Sequence, residues 1–331
     1  MLALRPQPQS RLRQPQGSTP TWRVVKLGGT TVASPNAVQA ACAHVRQVAK
    51  RKRVAVVVSA LAGVTDLLER LVAEAEDPAS DPAGRRDSLT ALEARHLDHL
   101  EALAASCDAS ETDHVLRIRP RIEQAFRSLA GLLAVMRVAT RRTPELRQLA
   151  LSLGERLSAH IVRAVLAGSR AELLDSSSLL VAEGDAAAAI PDVEASRRRV
   201  RGRLATCHAP IWVVPGFFAH DAQLRLRLLG RGGSDTSATL LGAALGAERV
   251  EIWTDVDGIY DADPRQQASA RRFPTLDYEG AERMAMSGAR VLHTRSIAPA
   301  RSARIPILVR NSFRPERPGT WIGEARQEVA A

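Results

Sequence analysis

The stretch "VVKLGGTTV", Val24 to Val32, sets an apolar run, a lysine, two glycines and two threonines in immediate succession. The β-branched run reads as a buried strand, and the helical spacing of Asn36–Lys50 follows directly after it. Glycines at a strand-to-helix turn let the backbone close around an anion. The new helix offers unpaired N–H groups and the positive end of its dipole. Lys26, at the strand's carboxyl end, would point at the same anion. A tight turn beside a surface lysine gives the same pattern, and the GxxxxGK[ST] spacing of a Walker loop is absent.

The lysine stands out because the chain has almost none. Of its 46 basic residues only Lys26, Lys50 and Lys52 are lysine. A lysine retained between a strand and two glycines suggests a need for a compact ammonium that arginine cannot supply.

Working outward, the same arrangement recurs. "VVVSALAGVTDLLERL" (Val56–Leu71) ends a strand in Ser59, Gly63 and Thr65 before a helix. These small hydroxyl residues can cap the helix or bind a ligand. "GRGGSDTSATLLGAALG" (Gly230–Gly246) places Gly232 and Gly233 before a third helix, with Ser234 or Asp235 as its expected cap. Asp235 also suits a partner for the lysine or for a magnesium-bound nucleotide, and Arg231 suits a bidentate clamp on carboxylate or phosphate. "IWTDVDGIYDADPR" (Ile252–Arg265) ends a strand in Thr254 and Asp255, followed by Gly258, Tyr260 and Arg265 in a loop. A calcium loop is the rival there, given Asp255, Asp257, Asp261 and Asp263, but the EF-hand's twelfth-position glutamate is missing. Three glycine-rich mouths at the carboxyl ends of parallel strands would lie on the sheet edge where open α/β folds bind ligands. Together they favour phosphoryl chemistry. No GxSxG, HExxH, HRD or DFG box competes.

The remaining sequence agrees with that class. Strands read at Trp22–Leu27, Arg53–Ala60, Ala171–Asp175, Ile211–Gly216, Arg249–Asp255 and Ile305–Arg310. Helical spacing reads at Asn36–Lys50, Val64–Glu76, Ser88–Ser106, Glu111–Arg137, Pro144–Leu166, Val193–Leu204, Asp235–Leu245, Tyr278–Ser287 and Thr294–Ala303. The alternation predicts a mainly parallel sheet with helices on both faces. Gln223–Gly230 alternates apolar and charged residues and reads as an antiparallel hairpin strand with one wet face.

The chain has 331 residues, 45% of them apolar, which suffices for a large core. No run of about eighteen apolar residues suggests a membrane span. Cys42, Cys107 and Cys207 form no CxxC pair and suggest a reducing compartment, neither a disulfide framework nor a metal site. A formal charge of +10 raises nucleic acid as a partner, but aromatic content is only 3%, which speaks against base stacking. The basic run Ser196–Arg203 reads as a solvated helix face. Residues 1–20 are rich in Pro, Gln and Arg and read as a disordered tail.

The motifs "KLGGTT", "VSALAGVT", "LSLGE", "GRGGSDTSA", "WTDVDGIYDADPR", "GARVLHTRSIAPA" and "NSFRPERPGT", in this order, resemble the aspartate kinases of the amino-acid kinase superfamily. The resemblance runs from about residue 22 to residue 322. It implies a three-layer α/β/α sandwich around a mainly parallel sheet. It implies transfer of the γ-phosphoryl of ATP, with Mg2+ held mainly by the phosphates and water, to the β-carboxylate of L-aspartate. Lys26 would stabilise the phosphoryl in flight and Asp235 would orient Lys26. Gly28, Gly29 and Thr30 would hold the phosphates. Ser59, Thr65, Glu155, Arg231 and Ser234 would surround aspartate. Thr254, Asp255, Tyr260 and Arg265 would hold the nucleotide, with Arg290 near its phosphates. A cytoplasmic homodimer, with a separate regulatory subunit as an option, is implied in the same way.

The pattern departs from the family at Leu27 (usually Phe), Thr31 (usually Ser), Pro215 (usually Gln), Arg290 (usually Lys) and the "LRLRL" stretch, which replaces a threonine-rich one. The expected organisation is a kinase domain over 21–323, a short tail over 324–331 and no ACT regulatory domain. Two rival readings stand beside it: a relative acting on another amino-acid carboxylate, and a catalytically weak binding subunit.

Overall fold

Each of the six apolar runs becomes a strand of one eight-stranded sheet in the computed structural model, which describes residues 21–139, 141, 144–264, 266–267, 269–286 and 292–324. In chain order the first half comprises β1 (Trp22–Leu27), α1 (Gly29–Val32), α2 (Pro35–Ala49), β2 (Arg53–Val58) and α3 (Val64–Glu76). The helical lobe α4 (Pro82–Ala105), α5 (Ala109–Leu116), α6 (Arg119–Val138), α7 (Pro144–Leu151) and α8 (Leu153–Val165) follows. Next come β3 (Ala171–Leu173), β4 (Ala182–Glu183), β5 (Ile190–Pro191), α9 (Val193–Thr206) and β6 (Ile211–Pro215). The second half holds β7 (Phe218–His220), β8 (Leu226–Leu228), α10 (Gly233–Leu245), β9 (Val250–Thr254) and β10 (Thr275–Asp277). It ends with α11 (Tyr278–Met286), α12 (Thr294–Ser302), β11 (Ile307–Asn311) and β12 (Thr320–Gly323).

The sheet order is β10-β12-β11-β9-β1-β2-β6-β3, and its pairs are parallel except β11 with β12. Side chains alternate across it. Val25, Leu27, Val54, Val56 and Val58 join one core with α2–α8, while Val24, Ala55, Val57, Val250 and Ile252 join another with α9–α12. Both faces are therefore covered, which is why these strands read as continuous apolar runs. The result is the expected three-layer α/β/α sandwich. Each fully buried valine contributes about 1.5–3 kcal/mol of transfer free energy.

β1 is flanked by β2 and β9. The chain leaves β1 toward β2 through helices on one face, and enters β9 from α10 on the other. The connections thus diverge at the carboxyl end of β1, the switch point where such sheets open a crevice.

Some boundaries differ from the sequence reading. Glu111–Arg137 is two helices, because Pro120 falls in the first turn of α6 and its ring bars continuation from α5. Pro144–Leu166 is also two, parted at Ser152. α4 begins at Pro82, where Asp81 accepts the N–H groups of Ala83 and Gly84. The Gln223–Gly230 segment does form a hairpin, β7 with β8, but in a separate two-stranded sheet. Its arginines do not simply face water. Arg225 and Arg227 both bond the fully buried carboxylate of Asp221, at 2.7 and 2.8 Å. Burial would raise the Asp221 pKa, but these bonds and the Arg225 N–H hold it down to about 2. The departing "LRLRL" stretch thus carries its own counter-ion.

The departures at Leu27, Thr31 and Pro215 fit without strain, and Arg290 lies outside the described residues. Leu27 is fully buried. Thr31, also fully buried, uses its hydroxyl to bond the Trp253 carbonyl (3.3 Å) and Ser312 Oγ (2.9 Å). Pro215 ends β6 beyond the last residue paired with β3, so no ladder bond on that side is lost. Residues 1–20 and 325–331, expected as tails, lie outside the described residues.

Candidate active site

Lys26 lies on the face of β1 that α10 covers, and α10 begins with Gly233, Ser234 and Asp235. The Lys26 ammonium meets Asp235 Oδ1 at 2.7 Å, and the two residues are 8% and 9% exposed. Burying such a pair gains little stability, since desolvation offsets attraction. Its effect is to hold one positive charge at a fixed point of the crevice.

The backbone around that charge is bare for a steric reason. A Cβ on Gly28 would come within 2.9 Å of the Trp253 carbonyl, and one on Gly29 within 3.1 Å of the Ala60 carbonyl. Gly28 caps α1 with no side-chain bond to its N–H groups. Gly63, at φ 76°, starts α3 in the same bare fashion, and Gly232, at φ 69°, starts α10. The expected capping by Ser59, Thr65, Ser234 or Asp235 is not made: the glycines take the cap positions, and Ser234 and Asp235 sit inside the first turn. Left-handed backbone suits glycine at both caps. Helix-start N–H groups therefore face the crevice unclaimed by side chains.

The third mouth differs from its sequence reading in position. It does not follow a strand of the main sheet. β6 ends at Pro215, the β7–β8 hairpin intervenes, and the chain returns so that Ser234 packs on Gly216. A Cβ on Gly216 would lie 2.8 Å from that of Ser234.

A cleft of about 780 Å³ joins these parts, lined by Lys26, Gly29, Ser59, Thr65, Glu155, Arg231, Ser234 and Asp235 among others. The acceptor residues expected from the sequence are thus brought together. Glu155 enters from α8, which fits closely because Gly154 packs on Ala60; a Cβ there would sit 2.7 Å from that of Ala60. Glu155 is 3% exposed, and its Oε2 has no hydrogen-bond partner. Burial pushes its pKa up to about 8, against the pull of backbone N–H groups and of Lys26. A buried carboxylate with a free oxygen calls for a cation from outside. Arg231 is exposed and lines the same cleft.

Thr254 and Asp255 leave the end of β9 beside Gly28, whose N–H donates to the Trp253 carbonyl at 2.9 Å. Thr254 Oγ1 bonds Asp255 Oδ1 at 3.3 Å. Tyr260 lies further along that loop, bridged to Arg272, and does not line the 780 Å³ cleft. Arg265 and Arg290 lie outside the described residues. The aspartates of this loop build it: Asp257 accepts from Asn311 (2.6 Å), and Asp261 from the Arg271 N–H (2.8 Å). No metal-binding group of three acidic, histidine or cysteine residues occurs among the described residues.

Sequence reasoning missed Gly216, which admits Ser234, and Gln148, which lines the cleft from α7. Helical spacing offered a signal for Gln148, seven residues before Glu155. The basic run on α9 is partly solvated, but Arg199 bonds the carbonyls of Ser177 and Asp221 and Arg203 bonds Glu172. No helix among the described residues is long and apolar enough to cross a membrane.

Comparison with known proteins accords with this geometry. An aspartokinase of Chlamydia pneumoniae is 32% identical over 310 residues, covering 93% of this chain and 64% of that protein. A bifunctional aspartokinase/homoserine dehydrogenase of Arabidopsis thaliana is 32% identical over 93% of this chain and 33% of its own length. The chain thus spans between a third and two-thirds of these relatives. The crystal structure of E. coli aspartokinase III in complex with aspartate and ADP superposes with a TM-score of 0.80 at 32% identity, over 92% of this chain and 65% of that one. Residues 21–311 match the amino acid kinase family, and the chain belongs to that family.

Proposed function

We propose that this chain is the catalytic unit of an aspartate kinase, transferring the γ-phosphoryl of ATP to the β-carboxylate of L-aspartate. The observation that carries the reading is the cleft itself. It sets the buried Lys26–Asp235 pair beside Glu155, a buried carboxylate with a free oxygen, and Arg231. An α-amino acid has the ammonium for Glu155 and the carboxylate for Arg231, which leaves its side-chain carboxylate toward Lys26. The likeness to aspartokinase III bound to aspartate and ADP supports the same assignment.

In the reaction a β-carboxylate oxygen bonds to the γ-phosphorus as the bond to the ADP oxygen breaks. No proton need move. Catalysis then consists of positioning and of positive charge where negative charge spreads. Lys26, held by Asp235, supplies that charge. The N–H groups after Gly28, with Gly29 and Thr30, suit the phosphates, and the two glycines let this turn pack against the Trp253 and Ala60 carbonyls. Thr254, Asp255 and Tyr260 suit the nucleoside side, and Arg265 and Arg290 are assigned there by motif. Mg2+ on the nucleotide would neutralise phosphate charge, held mainly by the phosphates and water.

The test is ADP release across a panel of amino acids and dicarboxylates. Aspartate should exceed glutamate, asparagine and succinate by at least tenfold in kcat/KM. A different preferred carboxylate would replace this reading by a kinase of another amino acid, and no turnover with any would leave a binding subunit.

A further inference from the structure

We infer that Gln148 is a specificity-determining residue of the acceptor pocket, its side-chain amide donating to the α-carboxylate of the amino acid opposite Arg231. The inference rests on the aspartate kinase reading of the same cleft.

Gln148 is 3% exposed and lines the cleft, yet its side-chain amide makes no hydrogen bond to a described residue. A side-chain amide at the wall of a cleft can take its hydrogen-bond partners from a bound ligand. Its placement points to the use. The Ser152 N–H bonds the Gln148 carbonyl (3.0 Å) and the Arg156 N–H bonds the Ser152 carbonyl (3.2 Å), so the helical path runs on from α7 into α8. Residues seven apart then share a face. Gln148, Leu151 and Glu155 form one wall, all three lining the cleft. Gln148 and Glu155 are both buried residues, and Glu155 Oε2 has no hydrogen-bond partner.

Their roles divide by position. Glu155 is the inner one, close enough to Lys26 for its charge to be felt. Glu155 and Ser59 supply acceptors there, as an ammonium needs. Gln148 is the outer one. α7 packs on β8, which runs into Gly230 and Arg231. Arg231 is exposed, so alone it would hold a carboxylate in a partly wet site. A neutral amide donor from the facing wall adds a second bond without a second charge to desolvate. Exposed Asp66 and Glu69 also line this end, and they repel a carboxylate that is not held in place.

The experiment uses Gln148→Leu and Gln148→Glu in the full chain, with L-aspartate and its α-carboxamide as acceptors. Gln148→Leu should raise the aspartate KM by about 10- to 100-fold, the worth of one bond to a charged group, with the ATP KM and the circular dichroism unchanged. Gln148→Glu should lower the preference for aspartate over the α-carboxamide by more than tenfold, because the new carboxylate repels the one and accepts from the other. A structural role would not invert that preference. An unchanged aspartate KM and an unchanged preference in both variants overturn the inference, as does a parallel rise in the ATP KM. Aspartate-dependent ADP release by the unaltered chain, measured alongside, reports on the functional reading separately; its absence sinks both.

Discussion

Replacing Lys26 by arginine keeps the charge and changes only its shape, so it isolates what the structure demands of this residue. The ammonium sits 2.7 Å from Asp235 Oδ1, in a residue 8% exposed, between the backbone of Gly28 and the start of α10. A guanidinium is larger by a carbon and two nitrogens. It also spreads its charge over a plane, where a compact ammonium meets the phosphoryl at one point. The larger head can keep Asp235 only by moving into the space the phosphoryl must use. Lys26→Arg should therefore fold with stability within about 1 kcal/mol of the parent, since the buried charge stays paired. Its kcat should fall by about two to four orders of magnitude, the loss typical of a displaced transition-state contact. Lys26→Met should lose as much activity and, in addition, about 3 kcal/mol of stability, because Asp235 is left buried without its partner. Single-turnover ADP formation at saturating substrates gives the first quantity, and urea unfolding the second. Near-normal turnover by Lys26→Arg would refute the role, whatever its stability.

Glu155→Gln should raise the aspartate KM at least tenfold with the ATP KM unchanged, measured by varying each substrate in turn. Because the Glu155 pKa stands near 8, the unliganded protein keeps its proton there while the unfolded chain loses it near 4.5. Stability should fall as pH rises between those values and level off above, and Glu155→Gln should flatten that slope in urea titrations. For the same reason kcat/KM for aspartate should climb as pH rises toward about 8. Asp221 is the opposite case: its pKa is held near 2, so the stability it gives is present above about 4 and lost as pH falls toward 2. Asp221→Asn should accordingly destabilise at pH 7 and not at pH 2, by thermal unfolding. Gly216→Ala should raise the aspartate KM more than the ATP KM, since its Cβ would lie 2.8 Å from that of Ser234.

Much of this was legible in the sequence because burial on both faces leaves a plain signature. Val24–Leu27 and Val54–Val58 read as strands for the reason that they form the sheet centre. The Lys26–Asp235 pairing was legible only as one of two uses for an aspartate at an anion-binding mouth, since 209 positions separate the two residues and no local pattern links them; the motif resemblance chose between the uses. What escaped were features set by tertiary contact. β12 is four residues long and earns its place by pairing with β11 and β10, not by propensity. The capping reading failed at Ser234 because Gly232 at positive φ took the cap and freed the serine to pack on Gly216. Arg225 and Arg227 looked solvent-bound because Asp221, their partner, lies before the alternating segment that carries them. Gln148 was overlooked because its spacing from Glu155 marks a shared face but not that the face is buried.

The most direct measurement is the chemical identity of the product. Incubating the chain with ATP, Mg2+ and L-aspartate in the presence of hydroxylamine traps an acyl phosphate as its hydroxamate. The proposed function predicts ADP and β-aspartyl hydroxamate in equal amounts, because Glu155 and Arg231 hold the α-groups and leave only the β-carboxylate toward Lys26. The α-hydroxamate, or ADP release with no trapped acyl product, would contradict it.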